Sequence, residues 1–93
     1  MVYHVVMWEL KENVDKAQVS AAMKAQLEAL VGKVPGLLQA SVGVGFSGYD
    51  VCLYSVLEDR RALDAYQDHP EHVKVKEYIG TVAGGRAACD WEA

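Results

Sequence analysis

Three histidines, a tyrosine and an aspartate carry most of the chemistry this sequence offers. His69 and His72 fall within Tyr66-Gln67-Asp68-His69-Pro70-Glu71-His72, while His4 and Asp90 lie near opposite ends of the 93-residue chain. A carboxylate can hold an imidazole in one tautomer and raise its basicity, and a phenol hydroxyl can donate to an oxygen that gains charge. Together they could take an acidic proton from a carbon between two carbonyls. Such a reaction calls for no metal and no cofactor. A zinc or iron site is a poor fit in any case, because His69-Pro70-Glu71-His72 lacks HExxH spacing and proline interrupts the helix between the histidines.

The elements that must position these groups follow from hydrophobic periodicity. Val2 to Leu10 is an apolar and aromatic run, β-rich and short, and reads as a central strand with both faces covered. One face carries His4, Val6, Trp8 and Leu10; the other carries Tyr3, Val5, Met7 and Glu9. Asp15 offers an N-cap oxygen, with Gln18 at capping-box spacing. The helix after it is predicted from Lys16 to about Lys33, with Val19, Met23, Leu27, Leu30 and Val34 as its apolar stripe. Gly32 and Pro35-Gly36 end it.

Leu37 to Phe46 reads as a second strand and Tyr49 to Glu58 as a third. The letters GxGxxG occur between them at Gly43 to Gly48, but a dinucleotide site needs a helix next, and a strand follows. The stretch is a glycine-rich hairpin. Asp59 caps a short helix through Leu63 and Tyr66, and Pro70 begins a further one, where its missing N–H costs nothing. Gly84-Gly85 ends that segment, and Arg86 to Glu92 forms the last strand.

The order is that of a ferredoxin-like βαββαβ fold of the α+β class: a four-stranded antiparallel sheet with helices on one face. Residues 1–93 form a single domain. With the first strand between the third and fourth, Cys52 and Cys89 are two strand spacings apart, about 10 Å, too far for a disulfide. His4 and Asp90 fall on antiparallel neighbours and should meet. The second sheet face gathers Tyr3, Val5, Met7, Cys52, Tyr54, Val56, Cys89 and Trp91, a large apolar patch. A second copy, sheet against sheet, is the simplest cover, giving a homodimer with a barrel-like core.

Helical spacing turns His72 inward with Val75, Ile79 and Val82, and Tyr66 inward with Leu63. His4 shares its strand face with Val6. These groups, with Asp90, therefore point into an apolar space between helices and sheet. Two readings share that geometry. In one, His72 bonded to Asp90 ties a helix to the sheet and Tyr66 merely finds a partner; in the other the cluster binds or transforms a small ligand. His69, just before proline, reads as a turn closure. Trp8 and Trp91 read as packing residues.

Composition excludes some partners. Net charge is −4 and Lys and Arg are scattered, which argues against nucleic acid. No apolar run approaches the roughly 20 residues that span a bilayer. The N-terminus has neither a basic region nor a small-residue cleavage site and does not read as a signal peptide. Two distant cysteines without CxxC spacing fit a reduced, cytoplasmic chain.

Val2-Tyr3-His4-Val5-Val6, Val31-Gly32-Lys33-Val34-Pro35-Gly36, Tyr66-Gln67-Asp68-His69-Pro70-Glu71-His72-Val73 and Asp90-Trp91-Glu92 together resemble the stress-responsive A/B barrel (Dabb) family along essentially the whole chain. The resemblance implies a homodimeric α/β barrel. A plant polyketide cyclase of that family closes a linear chain by aldol condensation without a cofactor. Its catalytic tyrosine and histidine match Tyr66 and His72, and its supporting polar residues match His4, His69 and Asp90. By the same resemblance Met23, Lys24, Leu27, Val75, Lys76 and Ala83 replace residues of its cavity lining, so a pocket bounded also by Val6 and Ile79 would accept a different substrate. A non-catalytic ligand-binding or stress-related dimer, and a cofactor-independent monooxygenase of the same barrel type, are the alternatives.

Overall fold

The computed structural model describes all 93 residues. Its elements are β1 (Val2–Leu10), α1 (Lys16–Glu28), β2 (Leu37–Val44), β3 (Val51–Leu57), α2 (Arg60–Asp68), α3 (Pro70–Val82) and β4 (Ala83–Glu92). All strand pairs are antiparallel, in the order β2-β3-β1-β4. This is the ferredoxin-like arrangement, with β1 central and the helices on one face.

Local chemistry accounts for the element starts. Asp15 accepts from the Gln18 N–H at 3.1 Å and Asp59 from the Ala62 N–H at 2.8 Å, each satisfying a first-turn donor. His69 caps α3, its Nδ1 accepting from the Glu71 N–H at 3.1 Å, and Pro70 follows it as first helical residue.

Two boundaries differ from expectation. The first helix ends at Glu28 instead of Lys33, and tight turns carry the chain onward, with Val34 N–H bonded to the Leu30 carbonyl at 3.0 Å. Gly32, at φ +91°, supplies the left-handed turn that a helix cannot contain. Leu30 and Val34 are still buried, so the apolar spacing was real although its helical reading was too long. Gly84 and Gly85 do not end α3 either. They lie inside β4, which begins at Ala83, and a register shift between Glu9 and Leu10 accommodates them.

The glycine-rich stretch closes a hairpin through the Gly45 N–H to Asp50 carbonyl bond of 2.8 Å, and β3 follows it. Cys52 and Cys89 are on strands flanking β1, and both are free.

One core of 18 buried residues fills the space between sheet and helices, including Val2, Val6, Trp8 and Leu10 of β1 and Val19, Met23 and Leu27 of α1. Glu28 fastens α1 to the β2 edge. Its carboxylate takes the Val42 N–H at 2.9 Å and Lys24 Nζ at 2.7 Å, while Lys24 also reaches the Val42 carbonyl at 3.0 Å. The lysine bond, then the backbone bond, hold the Glu28 carboxyl below its ordinary range.

On the opposite face Tyr3 stacks between Tyr54 and Trp91, with ring centroids 6.2 and 5.3 Å away. This three-ring row crosses β3, β1 and β4, and its outer members are 38% and 46% exposed.

Candidate functional site

His4 is set by the sheet. It pairs across from Ser55 on β3 and from Asp90 on β4. The Ser55 hydroxyl donates to the His4 carbonyl at 2.9 Å in a fully buried contact. Its Nδ1 bonds the Asp90 carboxylate. A carboxylate only accepts, so Nδ1 carries the proton and the neutral ring has its lone pair at Nε2.

His72 is set by the helices. Its Nδ1 bonds the Tyr66 carbonyl at 2.9 Å. A carbonyl also only accepts, so again the neutral ring keeps its lone pair at Nε2. The Tyr66 and His72 rings stack at 3.9 Å between centroids and 13° between planes, and Tyr66 meets the His4 ring edge-on at 6.0 Å. Three aromatic rings thus form one stack linking β1, α2 and α3. Neither histidine's Nε2 has a partner in the protein, yet no side-chain nitrogen or oxygen is sealed away unsatisfied. Both Nε2 atoms therefore open onto the space their rings line.

That space is a cavity of about 260 Å³ between the sheet and α3. Val6, Trp8, Leu27, Leu53, Ile79 and Ala83 form its apolar wall, the Gly80 and Gly85 backbone completes it, and its polar groups are His4, His72, Gln67, Lys76 and Arg86. Pockets for small molecules commonly span roughly 300–1,000 Å³, so this one suits a compact ligand.

Burial pushes the Tyr66 hydroxyl up to about 12, and it stays protonated at any physiological pH. It makes no hydrogen bond within the protein. Burial also pushes the His72 imidazole down to about 4. The Tyr66 carbonyl resists that shift, and the positive charges of Lys76 and Arg86 add to it, as does His4 whenever it is protonated. His72 is therefore neutral at pH 7.

Of the residues singled out from the sequence, His4, His72, Val6, Leu27, Ile79, Lys76 and Ala83 line this cavity. Tyr66 lies against His72 without lining the wall itself. Met23 is completely buried in the core, and Val75 lines a separate shallow depression with Ala25, Leu30 and Glu71. His69 is spent on the α3 cap. Asp90 backs His4, and its half-exposed side chain faces a groove shared with Arg60 and Asp64.

The tie expected between His72 and Asp90 is not made. The antiparallel register sets Asp90 opposite His4, while His72, six residues beyond Tyr66, closes back on its carbonyl. Sequence reasoning overlooked Gln67 and Arg86, and it assigned Trp8 to packing alone. The signal for Arg86 and Trp8 was present: they pair with each other across β1 and β4, on the face of His4 and Asp90. No three His, Cys, Asp or Glu side chains gather where they could hold a metal ion.

A family model described as Stress responsive A/B Barrel Domain matches residues 2–93. No curated protein gives a significant match. Among solved structures, a dimeric ferredoxin-like protein of unknown function from Bacteroides fragilis is 28% identical, with a TM-score of 0.90 over 99% of this chain and 95% of that one. The hydroxynitrile lyase from Passiflora edulis is 12% identical, with a TM-score of 0.84 over 97% of this chain and 90% of that one. An antibiotic biosynthesis monooxygenase is 14% identical, with a TM-score of 0.82 over 100% and 98%. These last two likenesses are of fold alone.

Proposed function

The chain belongs to the stress-responsive A/B barrel domain family, and from that premise we propose that it is a homodimer that moves a proton on a small carbon acid without a cofactor, in the manner of a cyclase or lyase. The observation that carries this reading is the pair of unpartnered imidazole Nε2 atoms opening onto one mostly apolar cavity.

His72 is the base. Its Nδ1–H is held by the Tyr66 carbonyl, so Nε2 is free to take a proton, and its neutral form prevails across the physiological range. A base driven from 6.5 down to about 4 loses about 3.4 kcal/mol of driving force for proton removal. The substrate's proton must therefore be acidic already, as it is between two carbonyls, and the enolate must be stabilised as it forms. We assign the donor to the Tyr66 hydroxyl, which has no partner in the protein and lies behind the cavity wall against His72, so that oxygen must reach past the wall to meet it. His4, oriented by Asp90, is the second polar contact that fixes the substrate's pose.

The dimer joins through the open sheet face. Support comes from the half-exposed Tyr3–Tyr54–Trp91 row and from the dimeric Bacteroides protein of the same fold. Sedimentation at micromolar concentration should give a dimer, and a stable monomer there would remove this part of the proposal. Two free cysteines fit a reducing compartment such as the cytoplasm, and no helix is long and apolar enough to cross a membrane.

The catalytic test is deuterium exchange at the central carbon of 1,3-dicarbonyl compounds, including linear poly-β-ketones, followed by NMR. Wild type should exchange well above the buffer rate and His72→Ala should fall to it; equal rates in both proteins remove the base from His72. Oxygen uptake in the same mixture would favour the monooxygenase reading, for which fold likeness is the only support. A second reading is binding without catalysis, favoured by the His72–Tyr66 carbonyl bond, which also ties α3 to α2. A substrate retained in the cavity and never exchanged would select it.

A further inference from the structure

The cavity carries a charge bias that the rest of the chain does not share. The sequence has 13 acidic and 9 basic residues, yet the 13 residues lining this space include Lys76 and Arg86 and no carboxylate. Neither cation forms a salt bridge. Lys76 Nζ donates to the Gln67 carbonyl at 2.6 Å, a neutral partner, whereas elsewhere Arg60 is paired with Glu92 and Lys24 with Glu28. Two carboxylates on the adjoining strands are engaged or turned away. Asp90 holds His4, and Glu9, across from Gly85, is on the other face of the sheet.

From this we infer that the cavity is an anion site, taking a small apolar molecule that carries one carboxylate, with the carboxylate met by Lys76 and Arg86 and the apolar part against Trp8, Leu27 and Ile79. The inference rests on the small-molecule cavity proposed above and names its ligand class. Arg86 presents a planar fork suited to a carboxylate and Lys76 a compact second charge. Both cations are exposed at the cavity's edge, so salt screens them from the solvent side and the attraction depends on both acting on one carboxylate. The same anion would answer the difficulty at His72, because a negative charge in the cavity favours its imidazolium.

The test compares three probes of one chain length, octanoate, octanol and octylamine, binding to the intact protein by calorimetry at low and at physiological salt. Octanoate should bind at least tenfold tighter than octanol, octylamine weakest, and salt should narrow the gap. Arg86→Gln should remove the preference, and Arg86→Lys should restore part of it. Octanoate, and not octanol, should raise the pH midpoint of the His72 ring signals in NMR. Octanol binding as tightly as octanoate, or an Arg86→Gln protein that keeps the preference, overturns the anion site while leaving the cavity and its proton chemistry standing. Failure of all three probes to bind overturns both.

Discussion

Replacing His72 by Asn separates its titration from its packing. The Asn amide can occupy the position of Nδ1 and donate to the Tyr66 carbonyl, but it does not titrate. In wild type the ring moves from 6.5 in the unfolded chain to about 4 in the folded one. Between those values the unfolded state binds a proton that the folded state refuses, so stability falls as pH drops from 6.5 towards 4 and is flat above and below that window. The whole shift corresponds to about 3.4 kcal/mol. Nε2 opens onto the cavity and is not sealed from solvent, which screens the effect, so about 2 kcal/mol is the expected loss.

Glu28 and Asp50, both held below their ordinary values, also cost stability in acid, but they do so equally in both proteins. The measurement is the urea-unfolding free energy at pH 7.5 and 4.5, at one fixed protein concentration because association would shift it. Wild type should lose about 2 kcal/mol more than His72→Asn. Equal losses, or a His72 NMR midpoint near 6.5, would refute the burial argument and with it the claim that the base is neutral across the physiological range.

Other expectations concern the frame. Met23→Ala deletes a side chain with no exposure and should cost about 3 kcal/mol in chemical denaturation; a loss below 1 would mean that α1 collapses onto the sheet to fill the space. Gly36→Ala places a Cβ 2.6 Å from the Ala62 Cβ at φ +84°, whereas Gly32→Ala, at φ +91°, meets nothing within 4 Å. Both should lower stability and with it Tm, the cost being about 1 kcal/mol of backbone strain at Gly32 and at least twice that at Gly36, where the α2 backbone must also move. Equal Tm losses would show that the contact between the β2 entry and α2 is soft.

Much of the fold was legible because period two and period three-to-four signals are strong in a chain this short. Caps at Asp15 and Asp59 and the proline start at Pro70 fall where their chemistry puts them. What failed was termination. Val19 to Val34 keeps helical spacing beyond Glu28 because buried turns also return apolar groups to the core every three or four residues, and only Gly32 marks the change. At the other end, Gly84-Gly85 signalled a stop although it lies in extended backbone, where its lack of side chains suits the register shift opposite Glu9 and Leu10.

The site shows the same division between what adjacency fixes and what only packing decides. His4 and Asp90 could be paired from topology, because antiparallel register is arithmetic once the strand order is known. The partner of His72 could not. A helix N-terminus presents its side chain to whatever backbone precedes it, and here that is the last turn of α2, with the Tyr66 carbonyl in reach. Assigning Asp90 to His72 followed a general rule that buried histidines seek carboxylates. The rule held, for the other histidine. The two rings consequently differ in kind: His4 faces a full negative charge and His72 a dipole, with the positive charges of Lys76 and Arg86 acting on it. A cavity so arranged stabilises negative charge better when His72 is protonated than when it is not. That coupling is what would make proton removal and enolate formation assist each other, and it is why substitutions at Arg86 should alter the pH behaviour of His72 without touching it.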